Sequence, residues 1–191
     1  RAAPGETIDI PLAHKDALKV RSHYDTMTVR VPDAPGPDEV VVVVAAANRG
    51  LAERKRQAIH LVTPPVRWVN CDPDRLREAV DNLVSNAVKY SPLGGRIAVT
   101  AGREGGEAVL RVTDQGPGLS PEDTDRVFGR FQRLSAKPTG GESSTGLGLS
   151  IVQQIVRHHG GEIRTGRGPR GGASFTVDLP AAVQTEQEGA R

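Results

Sequence analysis

Two asparagines four residues apart, Asn82 and Asn86, precede Lys89 and Tyr90 in the run Asp81-Asn82-Leu83-Val84-Ser85-Asn86-Ala87-Val88-Lys89-Tyr90-Ser91-Pro92. In a helix these four fall on one side, because positions three and four apart are neighbours. Amide oxygens suit a hard cation such as Mg²⁺, which takes oxygen ligands and keeps several waters while touching phosphate. An ammonium is a compact charge for phosphate oxygens, and a phenol ring gives a base a flat surface. One helix face therefore carries half of a site for a metal-bound nucleotide. The same residues also fit a solvated surface face, since Asn is a poor helix former.

The helix that must position them is legible. Leu76, Val80, Leu83 and Ala87 form an apolar stripe beside the polar face. Asp72 is placed to cap its start, and Pro73 sits where a missing N–H costs nothing. Two glycine elements follow. Val109 to Thr113 alternates as a strand and runs into Asp114-Gln115-Gly116-Pro117-Gly118. An aspartate at a strand end can accept from an exocyclic amine such as adenine presents, and glycine lets backbone approach a ligand closely; an ordinary strand-to-loop turn reads the same way. Farther on, Ser144-Thr145-Gly146-Leu147-Gly148-Leu149 opens an apolar-periodic helix through Val152, Ile155 and Val156. Free N–H groups and the helix dipole bind anions at such a start. Gly146-x-Gly148 is followed by Ile151, so there is no G-x-G-x-x-G, and no G-x-x-x-x-G-K-[ST] occurs.

The order of these elements is more specific than any one of them. Asn-x-x-x-Asn-Ala-x-Lys-Tyr, Asp-x-Gly-x-Gly, Phe128-x-x-Phe131 and Gly146-x-Gly148-Leu149 resemble the N, G1, F and G2 boxes of sensor histidine kinases, within the Bergerat-fold ATPases (gyrase B, Hsp90, MutL). The stretch Lys137 to Thr145 is like the kinase branch, and Gly171 to Pro180 looks like the family's final strand. The resemblance covers roughly residues 38–180. It implies an α/β two-layer sandwich, the Bergerat ATPase fold, with helices on one face of a mixed, mostly antiparallel sheet. It implies ATP and Mg²⁺ as ligands.

Roles follow from the resemblance residue by residue. Asn86 matches the metal-coordinating asparagine and Asn82 a polar residue near the metal's waters and the phosphates. Lys89 is expected on phosphate and Tyr90 against adenine or ribose. Asp114 is expected to take the adenine amine, with Gly116 and Gly118 letting the chain pass the base. Arg130 lies where relatives place a basic residue toward the γ-phosphate, although a solvated face is the other reading for it and for Arg133. Thr145, Gly146, Leu147, Gly148 and Leu149 are expected to offer backbone donors to the phosphates. Residues 119–147 resemble a mobile ATP lid, with Phe128 and Phe131 docked as its hinge and 135–145 labile until phosphates order it.

The implied function is transfer of the γ-phosphoryl group to a histidine on a separate dimerisation and phosphoacceptor domain, with a response regulator served indirectly. None of His14, His23, His60, His158 or His159 stands in the family's acceptor motif, and each is read as structural. A serine kinase of anti-sigma-factor type and a non-catalytic ATP-binding regulatory module are the alternatives.

Composition bounds the rest. The 191 residues are 37% hydrophobic and 25% charged with formal net charge +2, which gives no push toward nucleic acid or membrane. Aromatics are 3%, so the core must be aliphatic. The single cysteine, Cys71, excludes an internal disulfide and reads as a bystander. The longest apolar run, Val40 to Ala47, is too short to span a bilayer. Residues 1–25 are expected to be a linker or remnant, 26–180 the ATP-binding catalytic domain and 181–191 a disordered tail. The domain is expected to be cytoplasmic, whether or not its parent protein is anchored in the inner membrane. The pattern predicts strands at Thr26–Val31, Ile59–Val62, Arg67–Val69, Arg96–Arg103, Glu107–Thr113, Glu162–Arg164 and Ala173–Leu179, and a helix through Val40–Ala58 begun by Asp38.

Overall fold

The computed structural model describes residues 28–29, 38–62, 69–132 and 134–180. The expected linker 1–25 and tail 181–191 lie outside the described residues, as do Arg67, Trp68 and Arg133.

Strand β1 (Thr28–Val29) precedes helix α1 (Asp38–Arg54), β2 (Ala58–Val62), β3 (Val69–Asn70) and α2 (Pro73–Tyr90). Then come β4 (Arg96–Glu104), β5 (Glu107–Thr113), α3 (Pro121–Thr124), α4 (Gly148–His158), β6 (Glu162–Arg167) and β7 (Ala173–Pro180). Five strands form one sheet in the order β2-β4-β5-β7-β6. Only the β2–β4 pairing is parallel, so the sheet is mixed and mostly antiparallel as expected. β1 pairs with β3 in a separate two-stranded sheet, which the sequence did not foreshadow.

Alternation along the strands decides which face is covered. Ile97, Val99 and Ala101 of β4, Leu110 and Val112 of β5, Phe175 and Val177 of β7 and Ile163 of β6 are buried. The register sets Val99 beside Val112 and Leu110 beside Val177, so these side chains share one face. They meet Val80, Leu83, Val84, Ala87 and Val88 of α2 in one aliphatic core. On the other face polar pairs run across the strands, with the Arg164 guanidinium on Asp178 at 2.6 Å and Arg111 Nε on Thr176 Oγ1 at 3.2 Å.

α2 packs against both α1 and α4. Its apolar face is wider than the expected stripe: Ala79, Val84 and Val88 join it, and Leu76 is only partly buried. A helix with neighbours on two sides and a sheet beneath needs that broader face. α1 ends at Arg54 rather than near Ala58. Arg56 takes a left-handed φ of 53° and Gln57 N–H closes onto Ala52 O at 2.9 Å, which turns the chain into β2. Among the described residues, no helix is long and apolar enough to cross a membrane. Cys71 is buried, and desolvation with the nearby Asp72 charge pushes its thiol up to about 11, which leaves it inert.

Candidate functional site

Both ends of α2 are fixed, and this fixes its polar face. At the start, Asp72 Oδ1 accepts from the N–H groups of Asp74 and Arg75 at 3.0 and 3.1 Å, with Pro73 first in the helix. His159 joins this end to α4. Its Nε2 accepts from the Asp72 N–H at 2.9 Å, so the proton sits on Nδ1, which donates to Ile155 O at 2.7 Å. His159 therefore has the structural role expected of it.

A pocket of about 430 Å³, part of it open to solvent, lies where α2, the loop after β5, α4 and β7 converge. Asn86 and Tyr90 line it from α2, Asp114, Pro117, Gly118 and Leu119 from the loop, and Leu149 from α4. Leu134 and Ala136 close one side, and Ala173 and Phe175 form the wall from β7. The lining is apolar except for a few polar groups, as small-molecule sites are.

Asp114 is the polar centre of this pocket. It is 6% exposed. One carboxylate oxygen, Oδ1, accepts from the Gly116 N–H at 2.7 Å and the Ala173 N–H at 3.0 Å. The other has no donor among the described residues. Burial pushes the carboxyl up from its ordinary value, and the two N–H bonds pull it part of the way back. The loop after it must lie close to its neighbours. A Cβ on Gly116 would come within 2.7 Å of Tyr90 O, and Gly118 sits at φ +76° with its missing Cβ 2.7 Å from Gly171 O. Only glycine meets both conditions.

The four chemical residues of α2 do not all face one spot. Asn86 lines the pocket, and its amide has no hydrogen-bond partner among the described residues. Asn82 donates Nδ2 to Glu78 O at 2.9 Å and turns its oxygen toward the start of α4, where a Cβ on Gly148 would stand 2.7 Å from it. Asn82, Lys89, Gly116, Thr145, Gly146, Leu147 and Gly148 lie outside the pocket lining. Leu147, at the start of α4, makes no side-chain cap bond. Arg130 is exposed and lines nothing here. An unengaged amide oxygen at Asn86 fits a hard cation. No group of three or more His, Cys, Asp or Glu side chains able to hold a metal occurs among the described residues, so such a cation would take its other ligands from a bound molecule and water.

Segment 119–147 departs from expectation in two places. Phe128 packs against the core, but Phe131 is 72% exposed and does not dock. Its backbone takes a left-handed φ of 56°, and the Phe131–Gln132 backbone lies so close to Gly146 that a Cβ there would meet Gln132 O at 2.6 Å. The main chain makes the contact and the ring is left outside; Val127, buried, supplies the anchor instead. The stretch expected to be held by little also carries firm ties. Asp123 accepts from the Ser135 N–H and hydroxyl. Thr139 donates its N–H and Oγ1 to Lys89 O at 2.9 and 3.0 Å. Lys55, buried, donates Nζ to Val88 O at 2.9 Å, Lys89 O at 3.0 Å and Glu142 Oε1 at 2.8 Å. Lys55 follows directly on α1 and serves the carbonyl end of α2.

A protein-family model described as "Histidine kinase-, DNA gyrase B-, and HSP90-like ATPase" matches residues 71–183. The chain belongs to this family. A second model, described as amino acid synthesis, matches residues 1–56. That stretch takes in α1, which packs on α2 as part of the ATPase helical layer. The sensor-like histidine kinase SenX3 of Mycolicibacterium smegmatis is 35% identical over 153 residues, 79% of this chain and 40% of SenX3. The adaptive-response sensory kinase SasA of Trichormus variabilis is 32% identical over 177 residues, 92% of this chain and 43% of SasA. The chain thus spans about two fifths of the length of these curated relatives. Among solved structures, the mycobacterial sensor histidine kinase MprB superposes with a TM-score of 0.67 at 31% identity, covering 77% of this chain and 97% of that one. ShkA, solved in complex with AMPPNP, gives 0.64 at 28% identity over 77% of this chain and 30% of its own. The ATPase domain of these kinases is the part to which the chain corresponds, and its two-layer sandwich is the Bergerat fold.

Proposed function

We propose that this chain binds Mg-ATP and transfers the γ-phosphoryl group to a histidine on a separate dimeric acceptor domain, as one part of a two-component signalling kinase. The observation that carries the reading is Asp114: a buried carboxylate lining an apolar pocket, with one oxygen held by two backbone N–H groups and no donor to the other among the described residues. Such an oxygen accepts from the exocyclic amine of adenine, while Leu119, Leu134, Leu149 and Phe175 enclose the ring and Tyr90 borders it. Guanine would turn a carbonyl to the same oxygen, so ATP is selected over GTP.

From that base position the phosphates run toward the start of α4. Asn86 would hold Mg²⁺ through its amide oxygen, and the ion would supply neutralisation of the charge that develops on the phosphates. Asn82, beside Gly148, would stand near the metal and the phosphates, and Lys89 would supply positive charge. Backbone N–H groups from Thr145 through Leu149 receive the phosphates at the helix start. Arg130 and the lid approach the γ-phosphate once nucleotide is bound. The reaction asks for positioning and charge neutralisation more than covalent help. The acceptor histidine and the response regulator come from outside this chain.

The test is a transfer assay with γ-labelled ATP and an acceptor domain from a sensor kinase. Label should appear on the acceptor and be lost in acid, as phosphohistidine is, and Asn86→Ala should abolish it. Acid-stable label would point to a serine kinase, and ATP binding with no transfer to a regulatory module.

A further inference from the structure

We propose that Lys55 is a positioning residue for the nucleotide site: its buried ammonium clamps Glu142 of the lid to the last carbonyls of α2 and so holds the pocket's lid-side wall in place. The inference rests on the nucleotide-binding reading above and extends it to a residue far from the pocket in sequence.

A buried ammonium is costly unless its donors are satisfied. The Lys55 side chain is 7% exposed, and its three donors meet three acceptors: Val88 O, Lys89 O and Glu142 Oε1. Two of these are carbonyls at the end of α2, where the helix has no partners of its own to offer. The third belongs to the lid. Glu142 is only 21% exposed, and its second oxygen accepts from the Gly140 N–H at 2.9 Å, so one carboxylate fixes both the lid's turn and its distance from α2. Thr139 completes the clamp through Lys89 O and Ser91 O. Burial pushes the Glu142 carboxyl up, but the hydrogen bond from Lys55, helped by backbone N–H groups at Glu142 and Gly140 and by the Lys55 charge, holds it below its ordinary range.

What this holds is functional ground. Lys89 and Tyr90 are the residues assigned to phosphate and base, and the clamp grips the backbone that carries them. Leu134 and Ala136 line the pocket a few residues before Thr139, so the clamped arrangement is the one in which the lid side of the pocket is formed. Freeing Glu142 lets that wall leave, and nucleotide then binds only the fraction of molecules in which it has returned.

The experiment compares the unmodified chain with Glu142→Ala, Glu142→Gln, Lys55→Met and the double variant Lys55→Met/Glu142→Ala. Glu142→Ala lies on the lid and leaves the core untouched, so it carries the test if Lys55→Met folds poorly. Mg-AMPPNP should bind about tenfold more weakly to Glu142→Ala, mainly through faster dissociation. Amide exchange at Thr139 and Gly140 should rise without nucleotide, and the melting temperature should fall, because the Lys55 ammonium is left without its counter-charge. Glu142→Gln should recover part of the affinity. The double variant should bind no more weakly than Lys55→Met alone, because both substitutions break one clamp. Unchanged affinity and dissociation in Glu142→Ala, or fully additive effects, would overturn this proposal alone. An unmodified chain that binds no AMPPNP would overturn it together with the proposed function.

Discussion

α2 and the lid hold the same kind of residue by opposite means. In α2, Asn86 and Tyr90 ride on a helix whose far side buries Val80, Leu83, Val84 and Val88 almost completely, with Asp72 capping its start. Position there is set by many apolar contacts, each small, and no single one decides it. In the lid, residues 134–147 have little burial, and position comes from a few polar ties: Ser135 to Asp123, Thr139 to Lys89 O, Glu142 to Lys55. A packed helix is a fixed platform. A segment pinned at points can be released by breaking one of them, which is what a cover over a nucleotide requires.

The largest break in this contrast is expected in the platform. Leu83 is 1% exposed, so Leu83→Ala should cost about 3 kcal/mol of stability in urea unfolding. A loss below about 1 kcal/mol would mean that α2 is not the packed element described.

A smaller effect sharpens the chemistry. Asp114 must be ionised to accept from the amine, and burial raises its pKa above the ordinary 3.8. Acid should therefore weaken ATP binding at a higher pH than an ordinary aspartate would dictate, and Asp114→Asn should remove that part of the pH dependence. The effect on stability has the other sign. The fold holds this proton more tightly than the unfolded chain does, so the penalty of the buried charge is present above the folded pKa and is relieved as pH falls through it. Identical acid profiles for the two proteins would contradict the assignment.

The smallest effect belongs to the lid. Phe131 is exposed, so Phe131→Ser should change stability by less than about 0.5 kcal/mol. A large loss in thermal melting would show that the ring is packed after all.

The same contrast explains what was legible in the sequence. α2, its cap and its polar face were readable because helical period and capping are local rules. The β4–β5 hairpin was readable too: Gly105 and Gly106 both take positive φ, as a tight turn demands. The strand expected at Ala173–Leu179 is β7, but nothing local marked Ala173 and Phe175 as a wall of the pocket. Lys55 and Glu142 are 87 residues apart, and no local pattern marks two charges that meet through the fold. Phe131 misled because an aromatic residue reads as an anchor, whereas here the backbone beside it makes the contact with Gly146. The end of α1 was missed for a related reason: a tertiary bond at Lys55 and a turn at Arg56 overrode helix propensity.

The central claim is that Asp114 reads adenine in a pocket built by α2, β7 and the lid. Calorimetric titration of the unmodified chain and of Asp114→Asn with ATP and GTP, at constant Mg²⁺, tests it directly. ATP should bind and GTP should bind far more weakly. Asp114→Asn should weaken ATP by more than about tenfold, since a bond to a charged acceptor is worth roughly 1.5–3 kcal/mol. Equal affinities for ATP and GTP in the unmodified chain, or ATP binding untouched by Asp114→Asn, would contradict the account.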